Sequence, residues 1–283
     1  MPACILKLLA MILLCNCLAG AWFVLADEPS DALQKSRSLW KDGQRAEALA
    51  EISRLIANQP RNVPALWWRA QMLDALGKHE EALADLDLVL KLKPDLAEAK
   101  DLRGAVHFKL GNIKASLADF DQYLAARPAD GPGHWRRGIT CYYAGAFEEG
   151  KKQFEGYEKV DTNDVENAVW RYLCMAPLVG VKKAEAEILK IGSDRRIPMM
   201  TIYAMFSGKA TPAEVLAAAR AGNPSAEELR QRLFYAHLYI GLYHEAQGDK
   251  AQALEHIRKA AEDYRISHYM GDVARVHLKL LTK

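Results

Sequence analysis

Few residues in this chain of 283 amino acids have types and spacings that support catalysis or metal binding. Cys141 follows His134 on the same short segment, and Asp119 is close to Asp121. Neither pair has a third residue at a spacing that would complete a catalytic set. The histidines are scattered, with no HExxH motif and no cysteine–histidine grouping at zinc spacing. The sequence therefore predicts a non-enzymatic protein with no cofactor and no metal site.

Arginine and tryptophan are the residues whose placement suggests binding. Arginines recur at a fixed spacing, at Arg69, Arg103, Arg137 and Arg171. Such a ladder could hold an anion or a peptide carboxylate, or it could bond helix-end carbonyls or acids of the next repeat. The segment "PALWWRAQMLDALGKHEEA" places Trp67 beside Trp68, and neighbouring residues of a helix point in different directions, so one buried stripe cannot accommodate both.

The composition is that of an ordinary folded chain without a strongly charged face. Half of the residues are hydrophobic, 26% are charged, and the formal net charge is +2. Basic and acidic residues are interleaved along the sequence. A surface dedicated to nucleic acid is therefore not expected.

Glycines, prolines and small residues recur every 34 residues and define the elements that must position these side chains. The glycines are Gly43, Gly77, Gly111 and Gly145; the prolines are Pro60, Pro94 and Pro128; the small residues are Ala48, Ala82, Ser116 and Gly150, and Ser36, Ala70, Gly104 and Gly138. We expect each glycine to end a first helix in a left-handed conformation, and each proline to end a second helix. The small residues would lie where the two helices cross.

This period and punctuation resemble the tetratricopeptide repeat (TPR), a helix–turn–helix unit that stacks on its neighbours. The resemblance implies an all-α fold, an α–α superhelix of stacked TPR units with a C-terminal capping helix. The predicted repeats cover about 29–62, 63–96, 97–130 and 131–164, within a region of four repeats at 27–164.

The repeat pattern weakens after Asp164 and returns near the C-terminus. Residues 165–233 are interpreted as a degenerate TPR and a divergent helical pair, in which Pro177 should break or shorten a helix. Two helices should begin with capping boxes, at Thr211 with Glu214 and at Ser225 with Glu228. Residues 234–283 are interpreted as a C-terminal TPR and a capping helix with an apolar stripe at Tyr269, Val273, Val276 and Leu280.

In TPR superhelices, fixed positions of the first helix of each repeat line a concave groove. The resemblance therefore implies a partner-binding groove that contains Trp67, Gln71, Asp74, Asp101, Phe108, Trp135, Arg136, Ile139, Tyr142, Tyr143 and Trp170. Aromatic side chains edged by arginine suit an extended peptide or a partner helix. A register error of one residue would instead make Trp67 and Trp135 part of the core.

Residues 1–26 form an apolar N-terminal segment with a single charge, Lys7. It has the character of a cleaved signal peptide, and an uncleaved membrane anchor or a lipoprotein signal at Cys15 or Cys17 are the alternatives. In each case the chain is expected in the periplasm or cell envelope. Cys141 and Cys174 could then form a disulfide, or remain buried thiols. Five histidines in the last quarter, namely His237, His244, His256, His268 and His277, are expected at the surface or at helix caps.

The latter half, from "DRRIPMMTIYAMFSGKATPAEVLAAA" to "FYAHLYIGLYHEAQGDKAQALEHIRKAAE", resembles the bacterial envelope TPR lipoproteins of the new lipoprotein I type. That resemblance implies an adaptor that dimerises and links cell-wall hydrolases to a protease or a synthesis complex. The predicted function is thus a scaffold that binds a peptide or helix of a partner protein. The alternative is a homo-oligomerisation module whose groove holds a terminal helix of its own neighbour.

Overall fold

The computed structural model describes residues 31–157 and 159–283, which contain helices and no strands. The helices are α1 (Asp31–Lys41), α2 (Arg45–Asn58), α3 (Val63–Ala75), α4 (His79–Leu92), α5 (Ala97–Leu110), α6 (Ile113–Ala126), α7 (Trp135–Ala144), α8 (Phe147–Tyr157), α9 (Val165–Val179), α10 (Val181–Ala186), α11 (Met199–Phe206), α12 (Pro212–Arg220), α13 (Ala226–Ala246), α14 (Lys250–Arg258) and α15 (Tyr269–Leu281). The predicted signal segment, residues 1–26, lies outside the described residues. The all-α fold class predicted from the repeat pattern is confirmed.

The chain divides into two compact units, Met1–Ala65 and Leu66–Lys283, and the division falls inside α3. In the described part of the first unit, α1 and α2 form a helix–turn–helix pair. The turn contains Gly43, whose φ is 81°. Ser36 Oγ donates a hydrogen bond of 2.9 Å to the carbonyl oxygen of Ala48, so the two predicted small positions meet where the helices approach each other.

The second unit begins with helix pairs that obey the same rules. Gly111 ends α5 with φ 84°, and its N–H bonds the carbonyl oxygens of the last helical turn. The second helices α4 and α6 end two residues before Pro94 and Pro128, at Leu92 and Ala126. Proline has no backbone N–H, and it disfavours the helical conformation of the residue before it, so each helix ends shortly before its proline.

The small positions are small because the paired helices leave no room for a side chain. A Cβ on Gly104 of α5 would lie 2.8 Å from the Phe120 ring of α6. A Cβ on Gly138 of α7 would lie 2.6 Å from the Phe154 ring of α8. The apolar rings thus pack directly on glycine backbone, as the sequence predicts for the helix crossing.

The arginine ladder holds neighbouring helices together. Arg69 Nε and Nη2 each bond Asp85 at 2.7 Å, and Arg103 bonds both carboxylate oxygens of Asp119 in the same way. Arg103 also bonds Asp87 of the preceding pair at 2.8 Å. The later rungs are Arg137 with Asp121, and Arg171 with Glu155. Of the two interpretations of this ladder, the structure supports bonds to acids, but these acids lie in the same repeat or in the preceding one and not, as predicted, in the next repeat.

The region after α9 departs from the regular spacing. Pro177 lies in the last turn of α9, and the helix ends two residues later. Thr211 and Glu214 form the predicted capping box at the start of α12, whereas Ser225 caps α13 through Glu228 N–H alone. The helix α13 is continuous over 21 residues, so the predicted boundary between residues 233 and 234 falls inside it.

The C-terminal helices bury polar residues that the sequence placed at the surface. His237, His256 and His277 are buried, contrary to the prediction, whereas His268 caps α15 as expected. His237 Nδ1 lies 3.0 Å from His256 Nδ1, and the Tyr264 ring stacks on His237. These histidines are buried because α14, α15 and the π-helical turn Lys259–Asp263 pack together around them.

Cys141 and Cys174 are both buried and free. They lie close to the same point, because a Cβ on Gly150 would meet Sγ of Cys174 and Cβ of Cys141. Burial raises the pKa of the Cys141 thiol to about 11, and burial also raises that of Cys174. Of the two alternatives for these cysteines, the structure has the buried thiols.

Among the described residues, none of the helices has the length and apolar character needed to cross a membrane.

Candidate partner-binding surface

The last helix lies against the surface that the sequence assigns to a partner. We call this the inner surface, meaning the surface of α5, α7 and α9 that contacts α13 and α15. The Tyr269 ring of α15 stacks on Phe108 at 5.4 Å between centroids and meets the edge of Trp135 at 5.3 Å. Phe108 also contacts Tyr143, at 5.4 Å. A helix of the same chain therefore occupies the centre of the predicted groove.

Hydrogen bonds fix α13 and α15 to the two tyrosines of α7. Tyr143 Oη lies 2.8 Å from His277 Nδ1, and Tyr142 Oη donates to Glu245 Oε2 at 2.9 Å. His277 Nε2 lies 3.2 Å from the same Glu245 oxygen, so α15 contacts α13 at this point. Burial raises the pKa of both tyrosine hydroxyls well above the ordinary value of 10.0, so they remain protonated donors.

Charged residues of the predicted groove are already paired. Lys109 bonds Asp74 at 2.7 Å and lies 3.9 Å from Asp272 of α15. Asp101 accepts from Arg136 at 2.6 Å and contacts His134 Nε2 at 2.8 Å. Burial acts to raise the pKa of Asp101, but the bonds from His134 and Arg136 outweigh it, and the pKa of this carboxyl is lowered.

The predicted groove residues differ in how accessible the structure leaves them. Phe108, Ile139 and Trp170 are buried within the chain itself, with 0%, 1% and 1% of their surface exposed. A partner could reach them only if the covering helices moved. The partly exposed residues are Trp67, Gln71, Asp74, Asp101, Trp135, Arg136, Tyr142 and Tyr143.

Sequence reasoning missed the residues that cover this surface. Tyr269 and His277 of α15 and Glu245 of α13 are the contacting side chains. The apolar stripe of α15 predicts a buried face. Leu280 of that stripe is nevertheless 38% exposed, whereas His277 is 2% exposed. His277 follows Val273 by one helical turn, and this spacing could have indicated its burial, but the sequence analysis placed it at the surface.

A cavity of about 250 Å³ remains on the inner surface beside α15. We call it the Trp170 cavity. Its lining residues come from α7, α8, the start of α9 and the start of α15, and they are Trp135, Ile139, Phe154, Tyr157, Asp164, Glu166, Asn167, Trp170, His268 and Met270. Two of them, Trp170 through Nε1 and Asn167 through Oδ1, have a buried polar atom without a hydrogen-bond partner among the described residues.

The candidate catalytic pairs are not assembled. His134 caps α7 by accepting from Arg137 N–H and uses its other nitrogen on Asp101, so neither ring nitrogen is directed at Cys141. Asp119 and Asp121 bond different arginines, Arg103 and Arg137. Within residues 31–157 and 159–283, no group of three His, Cys, Asp or Glu residues could hold a metal ion.

Comparison with known proteins agrees with the repeat geometry. Residues 33–97 match the family model described as "Tetratricopeptide repeat". Among solved structures, a tetratricopeptide repeat protein from Parabacteroides merdae matches 89% of this chain and 98% of its own length, with 17% identity and a TM-score of 0.57. This chain has a tetratricopeptide-repeat fold.

Other TPR structures match parts of the chain. MamA from Desulfovibrio magneticus RS-1 matches 56% of this chain and 90% of its own length, at 22% identity and a TM-score of 0.51. The C-terminal part of a TPR protein from Cytophaga hutchinsonii matches 80% of this chain and 93% of its own length, at 17% identity and a TM-score of 0.50. No curated protein sequence matches the chain. These likenesses support the fold.

Within the TPR framework, the first helices α5, α7 and α9 supply the inner surface and the second helices back it. The arginine ladder runs between helices of successive repeats, because Arg103, Arg137 and Arg171 each bond an acid sixteen residues earlier. Each first helix is therefore held to the second helix before it. The ladder therefore holds in place the helices that form the inner surface, against which α15 packs.

Proposed function

We propose that this chain is a non-enzymatic scaffold that binds a segment of a protein partner on its inner surface. The observation that carries the proposal is α15 itself, which this surface already holds by the contacts of a helix-in-groove complex. Tyr269 supplies an aromatic anchor, and His277 supplies a side-chain hydrogen bond. A surface that holds an amphipathic helix of its own chain has the chemistry to hold a helical or extended segment of another.

The part of the groove on α3 is where we propose that a partner first makes contact. Trp67 and Gln71 are partly exposed there, and Gln71 Nε2 donates to the Trp67 carbonyl oxygen at 3.3 Å. Aromatic side chains are the commonest interface anchors, because they bury a large area at low entropic cost. The proposal therefore places the primary anchor at Trp67.

Photo-crosslinked capture tests the scaffold proposal. The full chain, a Trp67→Ala/Gln71→Ala variant, and a Glu80→Ala/Lys91→Ala variant on the exposed face of α4 are compared in envelope extract. We expect the same few proteins with the wild type and the α4 variant, and a loss of about tenfold or more with the α3 variant. Equal capture by all three chains would contradict the α3 part of the predicted groove as the place of first contact.

We further propose that the chain works in the cell envelope. The support is the apolar segment 1–26 in the sequence. The narrower role, linking cell-wall hydrolases to a protease or a synthesis complex, is supported only by the resemblance of residues 194–262 to envelope TPR lipoproteins. Fractionation of cells that express the full chain tests the location, and recovery in the cytoplasmic fraction alone would contradict it.

Homo-oligomerisation remains the alternative, and the structure gives it a specific form. The chain's own α15 fills the position in which that alternative puts a helix of a neighbour. A dimer would then arise by exchange of α15 between two copies. Light scattering over a hundredfold range of concentration detects a dimer, and only exchange of α15 would crosslink Lys109 of one copy to Asp272 of the other.

A further inference from the structure

A second cavity, of about 390 Å³, lies where α3, α5 and the start of α15 meet the segment 265–268. We call it the Arg265 cavity. It adjoins the part of the groove to which we assign first contact, because Trp67, Gln71 and Asp74 follow one another on one face of α3 and Asp74 lines the cavity. A side chain that enters this cavity can therefore belong to the segment that contacts Trp67. The charged lining residues are Asp74, Lys109, Arg265, Asp272 and Arg275.

Both carboxylates of the cavity already have cationic or imidazole partners. Asp74 accepts from Lys109 Nζ at 2.7 Å and contacts His79 Nδ1 at 3.1 Å. Asp272 bonds Arg275 and lies 3.9 Å from the same lysine. Burial acts to raise the pKa of Asp74, but the bonds from His79 and Lys109 outweigh it, and the pKa of this carboxyl is lowered. Neither carboxylate is therefore left to attract a further cation.

Arg265 is the cation that this network does not neutralise. Its guanidinium has no hydrogen bond and no carboxylate partner among the described residues, and it is the Arg265 carbonyl oxygen that accepts from Arg230 Nη1 at 2.7 Å. Arg265 is exposed, and the Arg275 side chain is 35% exposed, so a ligand can reach both guanidiniums. With Lys109, three basic side chains share the cavity with two carboxylates.

The charges of the two arginines interact unfavourably. Burial lowers the pKa of Arg275, and the charge of Arg265 lowers it further. Because arginine stays protonated in proteins, this repulsion persists in the free chain. An anion beside both guanidiniums would offset the repulsion and could accept hydrogen bonds from each. A protein segment offers such an anion in the carboxylate of aspartate or glutamate.

The position of the cavity along α3 determines the spacing between the two contacts. Asp74 follows Trp67 by two turns of this helix, a rise of about 10 Å. An extended segment in the polyproline II conformation has three residues per turn and rises about 3.1 Å per residue, so its residues i and i+3 lie on the same side about 9 Å apart. Leu76, which is exposed and lines the cavity, offers an apolar contact for the methylene stem of the acidic side chain.

We propose that the Arg265 cavity binds the carboxylate of an acidic residue that lies three positions, in an extended partner segment, from the residue that contacts Trp67. This rests on the proposed function and specifies the chemistry of the partner segment. Arg265 and Arg275 bind the carboxylate, and Trp67 packs on a bulky apolar residue. The cavity thus makes the scaffold selective for segments that pair an apolar and an acidic residue at this spacing.

Titration of the full-length chain in a neutral detergent with short peptides tests this site. The probes are N-acetyl-Leu-Ala-Ala-Glu-amide and its reverse, N-acetyl-Glu-Ala-Ala-Leu-amide, each also with glutamine or lysine in place of glutamate, and N-acetyl-Leu-Glu-Ala-Ala-amide, which changes the spacing. The readouts are the Trp67 indole N–H and Arg265 Nε–H signals in ¹H–¹⁵N spectra, assigned with Trp67→Phe and Arg265→Gln. We expect saturable shifts of both signals with a glutamate peptide of the proposed spacing, and binding weaker by about fivefold or more for its glutamine and lysine counterparts.

Arg265→Glu is the decisive variant, because it reverses the charge of an exposed side chain that is not part of the packed core. It should invert the preference, so that the lysine peptide binds more tightly than the glutamate peptide. We expect the ratio of their dissociation constants to change by about tenfold or more. Arg258→Glu reverses an equal charge on an exposed residue of α14 that does not line the cavity, and it should leave the ratio within about twofold.

The outcomes separate this site from the scaffold function. No shift with any peptide, equal binding of the glutamate and glutamine peptides, or the same peptide ratio in the two arginine variants would each overturn the acidic-residue site. Equal binding of the peptide with adjacent leucine and glutamate would overturn the spacing. If partner capture is lost in Trp67→Ala/Gln71→Ala but unchanged in Arg265→Glu, the scaffold function holds and this site fails. Peptide selectivity without any partner capture would show the reverse.

Discussion

The regular repeats and the C-terminal helices of the second unit solve the same packing problem by different means. From α3 to α8, each helix pair repeats one set of solutions, with a small residue at the crossing, an arginine rung and a left-handed turn. From α13 to α15, the contacts are individual, and they include a histidine pair and a tyrosine–histidine bond. The repeats form the inner surface, and the irregular C-terminal helices cover it.

The difference teaches that the repeat rules describe neighbours in sequence, whereas the covering helices depend on residues far away. Tyr143 and His277 are 134 residues apart, and Tyr142 and Glu245 are 103 apart. A substitution within a repeat should therefore lower the stability of the whole unit, whereas a substitution that loosens α15 should expose the inner surface. Four variants examine that contrast, from the largest expected effect to the smallest.

Gly138→Val should have the largest effect, because its side chain would enter the space of the Phe154 ring. We expect a loss of about 3 kcal/mol or more in the free energy of unfolding, measured by chemical denaturation. Gly156→Ala is the matched control, since its Cβ would meet nothing closer than 4.0 Å. It should stabilise the chain by up to about 1 kcal/mol through helix propensity. Equal losses in the two variants would contradict the crossing as the cause.

Arg103→Met should remove one rung of the ladder. Asp119, which is 3% exposed, would keep its charge without its bidentate partner, so we expect a loss of about 3 kcal/mol. Lys151→Ala, which breaks an exposed pair with Glu148, should cost less than about 1 kcal/mol. Denaturation at 25 °C measures both. A small effect of Arg103→Met would show that the ladder is not structural.

Acid should destabilise the C-terminal helices through His237. Burial, and then repulsion from His256 and Lys259, lowers the pKa of His237 from its ordinary 6.5 to about 4. Because the folded state binds this proton less readily than the unfolded state, stability falls as pH drops from about 6.5 to about 4. The loss attributable to His237 is about 2–3 kcal/mol.

His237→Gln should reduce this pH dependence, which denaturation at pH 7.0 and pH 4.5 measures. The matched control is His244→Gln, because His244 is a half-buried histidine of the same helix, α13. An unchanged difference between the two pH values in His237→Gln would contradict the assignment.

Tyr143→Phe should have the smallest effect on stability and a local effect on α15. It removes the hydroxyl that contacts His277 and preserves the ring that packs on Phe108. We expect a loss of about 1 kcal/mol, together with faster hydrogen exchange in α15 and unchanged exchange in α4. Faster hydrogen exchange along the whole chain would show that the Tyr143–His277 bond stabilises the entire unit and not α15 in particular.

Much of the repeat region could be predicted from the sequence, because its determinants are local. The spacing of Gly77, Gly111 and Gly145 placed the turns, and Pro94 and Pro128 placed the helix ends correctly. The small residues Gly104 and Gly138 lie at the predicted crossings. Each of these residues acts through a turn or through the partner helix next in the chain.

The packing of α15 on the inner surface could not be predicted from the sequence. An apolar stripe indicates that one face of a helix is buried, but it does not indicate which surface buries it. Tyr269 and Val273 marked α15 as amphipathic, but nothing within α15 specifies Phe108 or Trp135 as its contacts. The burial of His277 likewise depends on Tyr143 and Glu245, which lie in other helices. The Trp170 cavity exists only once α7, α8, α9 and α15 are assembled.

Zero-length crosslinking tests most directly the central claim that α15 of the same chain covers the inner surface. A carbodiimide joins amines to carboxylates in direct contact, and Lys109 Nζ lies 3.9 Å from Asp272 Oδ2 and 2.7 Å from Asp74 Oδ2. Equal amounts of ¹⁴N- and ¹⁵N-labelled full-length chain are mixed, crosslinked at low concentration and analysed by mass spectrometry. We predict Lys109–Asp272 crosslinks within single isotopic species, beside the Lys109–Asp74 reference. A Lys109–Asp272 crosslink of mixed isotopic composition, or its absence while Lys109–Asp74 forms, would contradict the account.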